Sequence, residues 1–542
     1  MSRQARVLAV VRGLGLPFGV YALLALALIA PAISMPGASV PGSEGTDTFN
    51  GLWSFWFFGE SLSDGRLPWV VPMLNYPVGG SLLVVDPLGA LFCWVGSVFL
   101  GLSGAYHLLI VFRVALSGLL AHGFARSWLM EECGASPQAA HRAGWAAGVV
   151  YGGAPVLLVG IYNGNTESFN GAWLVAAVWA GWLAARKGGA KWILLAAVTL
   201  LGACLANWYS GVCAFLFSAS LFLWGSADLP SRKQIGARFM ALALGLLFVL
   251  PVAMGVRAAH QQPSEISRIQ TAEYFSDWRR SEGAATLSGW VFDRKAPVVD
   301  GRPGRSAYRA SHGFGFLTIL AATGGLVWVR RKSAFLLVGG AAGGVLAMGP
   351  GGSSVLPYAW IEGWPGFESL SLLWRLGQAP ALTLAVLAAA GCWRLTPRLG
   401  AVLGGGILLE LVLFSPLSSG IPGVSIQVPE SVRALGTAAP GVVVSYPTES
   451  RTRDLLYQVS HGQTLNRSLF TLSNEKEEDF WRAVESEPVD LEALKSAGYR
   501  YLLVQDHVGE RTDPHRRVAL SLEERLTARW GEGTEARVYA FW

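Results

Sequence analysis

The reading turns on the stretch Gly42-Ser43-Glu44-Gly45-Thr46-Asp47-Thr48-Phe49-Asn50 and the aromatic segment that follows it, Leu52-Trp53-Ser54-Phe55-Trp56-Phe57-Phe58. It begins just after an apolar run, Leu14–Ile33, preceded by Arg3, Arg6 and Arg12. That run is about 20 residues long, enough to span a bilayer and longer than a signal-peptide core. Lys and Arg mark the inner side of a membrane, so the N-terminus is expected in the cytoplasm and the quoted stretch outside. Clustered Trp and Phe favour the interface between lipid and water. The stretch therefore reads as an external loop lying on the membrane surface, with carboxylates held beside it.

Composition agrees. Of 542 residues, 52% are hydrophobic and 14% charged, and the mean hydropathy is +0.41. A soluble domain carries about 25% charged residues. The net charge of +6 does not suggest nucleic-acid binding, because the positives are scattered between apolar runs instead of forming a patch. Residues 1–416 hold 28 Lys and Arg against 18 Asp and Glu, whereas 417–542 hold 14 against 18. This predicts a membrane domain over 1–416 and an acidic, soluble domain over 417–542. The five cysteines lie in the membrane part without metal-ligand spacing, and read as core filler.

Apolar runs follow at roughly 105–127, 142–161, 170–185, 192–206, 209–226, 236–256, 313–329, 334–349, 376–393 and 398–415. Short basic connectors alternate with polar ones, which predicts a mainly α, polytopic bundle of about eleven spans. The odd count places the tail outside, as a small α/β unit. Its strands are expected at Val442–Tyr446, Tyr499–Gln505 and Ala536–Phe541, and its helices near Arg451–Val459, Glu475–Val484, Leu491–Ala497 and Leu522–Arg529. Leu88–Leu102 has no basic connector behind it and reads as an interfacial or re-entrant helix. The external loops 35–104 and 257–312 are long enough to be functional.

The pattern Asp47…Trp53…Trp56-Phe57…Leu62…Gly65…Pro68…Tyr76-Pro77-x-Gly79…Leu82 resembles uncharacterised bacterial members of the GT-C glycosyltransferases. Asn163-Gly164-Asn165-Thr166-Glu167 with Gly171-Ala172-Trp173, and Asn207-Trp208-Tyr209-Ser210-Gly211, are similar to the same group. In the tail, Tyr457-Gln458-x-x-His461-Gly462-Gln463 and Gly498-Tyr499-Arg500-Tyr501 look like its exported domain. The resemblance implies a multi-pass enzyme of the plasma (inner) membrane, with an extracytoplasmic C-terminal domain. It would move a sugar from a polyprenyl-phosphate donor to an unidentified extracytoplasmic acceptor, with inversion at C1. Membrane lipids are further partners, and nucleic acid is not.

A carboxylate in such a loop can take the proton of an attacking hydroxyl, or hold a divalent cation against the leaving phosphate. Asp47 is the first candidate for either task, against a plain helix N-cap. Glu167, in a very short external loop, is the second. Cofactor use stays open between none and a divalent metal, Mg or Mn, held by Asp47 and Glu167. Substrate or lipid-phosphate contacts are expected from Asn50, Tyr76, Asp86, Arg113, Asn165, Tyr209, Arg257 and Arg375. Arg113 lies about 12 Å into its span, and Glu410 is deep in the last one, so these two are candidates for a buried pair. Glu44, Glu60 and Asp64 read as surface charges. His107 and His122 read as helix-face residues, and His312 and His461 as terminus and turn residues. A transporter or lipid flippase, and a non-catalytic envelope scaffold, are the alternative readings.

Overall fold

The computed structural model describes residues 15–34, 37–43, 46–68, 70–74, 76, 79–81, 86–224, 232–261, 283–291, 298–299, 302–303, 313–350, 356–364, 367, 370–414, 420–446, 451–465, 491–505, 528–530 and 536–540. The described parts of the eleven apolar runs are largely helical, with breaks at Ile29 and at residues 153–154, and together with the aromatic segment they account for the main helices of this part of the chain. In chain order these are α1 (Leu16–Leu28), α2 (Thr48–Ser63), α3 (Pro87–Cys133), α4 (Pro137–Gly152), α5 (Pro155–Tyr162), α6 (Ala172–Lys187) and α7 (Ala190–Ala206). They continue with α8 (Trp208–Trp224), α9 (Arg232–Gln261), α10 (Phe316–Val329), α11 (Ala334–Ala347), α12 (Gln378–Arg394) and α13 (Pro397–Phe414). Helix α2 is the aromatic segment of the first loop. It packs between α3 and the tail.

The count of about eleven spans is corrected by the helix lengths. Among the described residues, two helices are long and apolar enough to cross a membrane, Pro87–Cys133 and Leu373–Arg394. They become up to three if α4 and α5, bent by 42° at their junction, act as one. A span needs about 20 residues, but α1 has 13, α6 has 16, α7 has 17, and α10 and α11 have 14 each. Hydropathy counted apolar residues that the backbone gives to turns. The 14–33 run breaks at Ile29, and the connector at Arg330–Ser333 is itself a 3-10 turn. The parity argument built on eleven spans loses its basis. More than one helix remains long and apolar enough to cross a membrane, and the helices expose large apolar side chains such as Val98, Phe99 and Leu23.

Residues 88–102 form the first part of α3, which breaks at Gly101, where φ is 67°. A left-handed φ is open to glycine at no steric cost, so the chain turns there without strain. The pairing expected between Arg113 and Glu410 does not form. Glu410 accepts the backbone N–H groups of Phe316 and Leu317 at 2.6 and 2.8 Å, capping α10 from the neighbouring α13. Those donors have no partner inside their own helix, which explains a carboxylate at that depth.

The exits of the first and last bundle helices are stitched together. Strand β1 (Ser39–Pro41) pairs antiparallel with β6 (Gly423–Ser425), Val40 facing Val424, and Ile421 N–H donates to the Leu28 carbonyl at 2.8 Å. Two-residue hairpin strands β2 (Val70–Val71) with β3 (Gly80–Ser81), and β4 (Val298–Val299) with β5 (Arg302–Pro303), decorate the loops.

In the tail, β7 (Val442–Tyr446), α14 (Arg451–His461), β8 (Thr464–Leu465), β9 (Tyr499–Gln505), β10 (Ala528–Trp530) and β11 (Ala536–Ala540) build a sheet in the order β10-β11-β9-β7-β8. Pairing is parallel around β7 and antiparallel around β11. A short helix covers Leu491–Ser496. The helix expected at Leu522–Arg529 is corrected at its end, where Ala528–Trp530 is strand; 522–527 and Glu475–Val484 lie outside the described residues. The hydrophobic core of the tail does not stop at the tail. Trp53 and Phe57 of α2, and Val71 and Leu74 beyond it, pack in one cluster with Leu435, Val443, Tyr457, Leu465 and Leu503.

Candidate active site

Asp47 stands at the N-cap position of α2, but its side chain makes no capping bond. Both carboxylate oxygens are instead held by amides. Asn165 Nδ2 donates to Oδ2 at 2.6 Å, and Asn50 Nδ2 donates to Oδ1 at 3.1 Å. The backbone N–H of Asp47 donates to the Asn163 carbonyl at 3.0 Å, fastening the start of α2 to the loop after α5. Gly164 makes that approach feasible: its φ is 69°, and any Cβ there would run into the backbone of Thr48. Asp47 keeps contact with solvent, yet protein surrounds it closely. Asp47 thus stands at the exposed margin of a group whose other charged members, Glu167 and Arg375, are buried. Desolvation pushes its pKa up, opposed by the Asn165 hydrogen bond, the nearby Arg375 guanidinium and the Asn50 hydrogen bond.

Glu167 lies in the same loop, 8% exposed, and its Oε1 is 2.7 Å from Arg375 Nη1. Burial raises its pKa as well. The guanidinium counteracts this, while the negative charges of Asp47 and Asp86 add to it. The loop is tied to α8 through Asn207, whose Nδ2 donates to the Glu167 carbonyl at 3.3 Å and whose Oδ1 accepts the Tyr209 N–H at 2.8 Å.

Arg375 belongs to a 3-10 turn, Leu373–Gly377, that leads into α12. Its guanidinium carbon lies 5.4 Å from the centre of the Tyr209 ring and 5.6 Å from that of Trp374. The Tyr209 hydroxyl accepts the Leu372 N–H at 2.9 Å, which fixes the ring against the turn. Arg375 Nε is buried and has no hydrogen-bond partner among the described residues. A buried donor left unmatched is costly, and an arginine fork held by one carboxylate, with a donor to spare, suits an incoming anion.

Asp86 and Arg113 form a separate centre beside this one. Asp86 caps α3 by accepting the Gly89 N–H at 2.9 Å. Arg113 meets it with both nitrogens, Nη1 to Oδ2 at 2.6 Å and Nη2 to Oδ1 at 2.8 Å, and Nη1 also donates to the Thr166 carbonyl at 2.8 Å. Both residues are buried, at 2% and 4% exposure. The pair is thus a brace between α3 and the loop that carries Glu167.

Of the residues singled out in the sequence, the site gathers Asp47, Asn50, Asn165, Glu167, Tyr209 and Arg375. Tyr76 is elsewhere: its N–H donates to the Leu465 carbonyl at 3.2 Å and its ring meets Tyr499 edge-on at 6.3 Å, against the tail. Arg257 falls on α9, and its side chain lies outside the described residues, as do Glu44 and His312. Sequence reasoning missed the fastening role of Asn163, the need for glycine at 164 and the capping by Asn207, although all three sit in motifs it quoted. As for metal, no group of three or more His, Cys, Asp or Glu comes together among the described residues. Both Asp47 oxygens already accept amide hydrogens and Glu167 is engaged by Arg375, so this donor set does not fit a divalent cation.

Known proteins share this architecture. The arabinofuranosyltransferase AftD from Mycobacteria superposes with a TM-score of 0.56 at 14% identity, over 98% of this chain and 40% of that one. The Archaeoglobus fulgidus oligosaccharyltransferase, tethered to an acceptor peptide, gives 0.54 at 13% over 98% and 74%. ArnT from Cupriavidus metallidurans, bound to undecaprenyl phosphate, gives 0.52 at 14% over 97% of both chains. This chain shares its fold with these three proteins. No family model matches the sequence, and no curated protein does. At such low identity the likeness concerns the fold alone.

Proposed function

We propose that this protein is a membrane glycosyltransferase that moves a sugar from a polyprenyl-phosphate donor to a hydroxyl-bearing acceptor, with Asp47 as general base. The observation that carries the reading is the pairing of two opposite groups at one site. Asp47 is a solvent-reachable carboxylate whose proton affinity is raised, and Arg375 is a braced cation with an unmatched donor. An inverting transfer needs both. The acceptor O–H gives its proton to an Asp47 oxygen as the acceptor oxygen forms a bond to sugar C1. The C1–O bond to phosphate breaks with its electron pair, and polyprenyl phosphate leaves with its charge matched by Arg375. Asn50 and Asn165 aim the carboxylate, and Glu167 holds Arg375 in place. ArnT, similar in fold, was solved with undecaprenyl phosphate, which is why a lipid phosphate is the donor class proposed here.

Asp47 and the loop that carries Glu167 lie at the end of the bundle where α2 meets the tail. Helices α3, α6, α10 and α12 end in or near a basic cluster on the opposite side, where Arg186 and Lys187 pair with Glu131 and Glu132, Lys332 reaches the Glu132 carbonyl and Arg394 stacks on Trp328 and Trp393. By the positive-inside rule that side is cytoplasmic, so transfer occurs outside the cytoplasm. The test is a proteoliposome assay with a panel of labelled polyprenyl-phosphate sugars. Label should pass to an acceptor as free polyprenyl phosphate appears in equal amount. No transfer and no release from any donor sinks the proposal.

A further inference from the structure

The tail touches the helix that bears Asp47 through one fully buried amide. Gln458 of α14 is 0% exposed and uses both ends of its side chain. Its Oε1 accepts the Trp53 Nε1–H of α2 at 2.7 Å; its Nε2 donates to the Met73 carbonyl at 2.9 Å and to the Gln463 carbonyl at 2.8 Å. Three segments meet there: the helix, the loop that leaves it and the turn after α14. The loop is also laid along the free edge of the tail sheet. Leu465 N–H donates to the Met73 carbonyl at 2.9 Å, and Tyr76 N–H donates to the Leu465 carbonyl at 3.2 Å. An edge strand offers unpaired backbone groups, and here β8 uses them to grip the loop.

Helix geometry turns this grip into control over Asp47. Positions 47, 50, 51 and 54 lie on one side of α2 at intervals of three and four residues. That side carries Asp47 and Asn50, and it meets the loop after α5 at Gly51, where a Cβ would touch Thr166 and the Gly164 carbonyl. Trp53 and Phe57 lie three and seven residues beyond Asn50, on the adjoining stripe of the helix, within the core of the tail. The helix is thus held by the loop after α5 at its start and by the tail along the next two turns.

We propose that Gln458 is a positioning residue, through which the tail holds α2 so that Asp47 faces Arg375. The inference rests on Asp47 being the reactive carboxylate, but its test does not depend on finding the donor. Hydrogen exchange is followed on the full-length protein in nanodiscs for wild type, Trp53→Phe, Gln458→Met and the double variant. Both single changes remove the Trp53–Gln458 bond; Trp53→Phe also shortens the side chain, and Gln458→Met also removes the bonds to the Met73 and Gln463 carbonyls. Amides of residues 48–58 should exchange at least about tenfold faster in each single variant, the effect of losing a buried hydrogen bond. The double variant should exchange less fast than the two effects multiplied, because the Trp53–Gln458 bond is shared. Strands β7 and β9 should keep their protection. Unchanged exchange in α2, or loss of protection in α2 and the tail sheet together, overturns the proposal. Where transfer is measurable, Gln458→Met should lower kcat about tenfold with the donor KM unchanged; unaltered kcat in a loosened helix also overturns it. Absence of transfer in the wild type counts against the glycosyltransferase reading, and exchange still decides the clamp.

Discussion

Asp47 joins two properties that seldom occur together, access to solvent and a raised proton affinity. A general base works only when deprotonated, so the rate should fall as pH drops through its pKa. Desolvation has moved that pKa upward, and the acid limb of kcat/KM should therefore lie above the ordinary carboxylate range near pH 4. A pH–rate profile with the limb at or below that value would contradict the assignment. The Asp86–Arg113 pair makes the opposite demand. It is dry and bidentate, so removing one partner strands a charge, whereas removing both need not. Asp86→Ala should cost about 3–5 kcal/mol, and a variant with Asp86→Leu and Arg113→Met together should recover most of it, read by thermal unfolding in detergent. Asp47, Glu167 and Arg375 stand out in the sequence because charges are scarce beside apolar runs, although a helix cap, a loop acid and a snorkelling anchor are competing readings; that the three lie together is not visible there. Gln458 does not stand out, because an uncharged amide says nothing about a tryptophan 405 positions away.

At the scale of elements, the runs of apolar sequence and the helices coincide, but the spans do not follow from them. Hydropathy reports where side chains avoid water, not where the backbone stops being helical. Ile29, at the end of α1, and the 42° bend between α4 and α5 interrupt runs that look continuous as sequence. In the tail, β7 and β9 were legible from their Val-, Leu- and Tyr-rich runs. The strand at Ala528–Trp530 was not, because its three residues are too few to show alternation. Helix α14 ends on His461, which is buried and accepts the Gln463 N–H at Nδ1, at 3.0 Å. Burial lowers its pKa from 6.5 to about 4. The unfolded chain therefore binds the proton first as pH falls, and stability drops between pH 6.5 and 4. The full effect is roughly 3 kcal/mol. The tail of the wild type should unfold at lower temperature at pH 4.5 than at pH 7.5, and His461→Gln should flatten that difference; an undiminished pH dependence in the variant would refute the account of His461.

Taken whole, the molecule places its charges by side. Basic residues and their glutamates collect at one end of the bundle, and the braced acids and arginines at the other, under the tail. The tail shares its core with α2 and its sheet edge with the loop beyond, and β1 pairs with β6 across the ends of the chain's two halves. Composition divides the chain into an apolar part and an acidic tail, but gives no sign that the two share one core, since long-range packing leaves no local pattern. What the whole arrangement exists to do is settled most directly by comparing wild-type protein with Asp47→Asn, reconstituted in equal amounts with a labelled polyprenyl-phosphate sugar that the wild type accepts. The substitution keeps the shape and one of the two accepting oxygens while removing the base. Transfer should fall about 10²–10⁴-fold with donor binding retained, and transfer at the wild-type rate would contradict the mechanism.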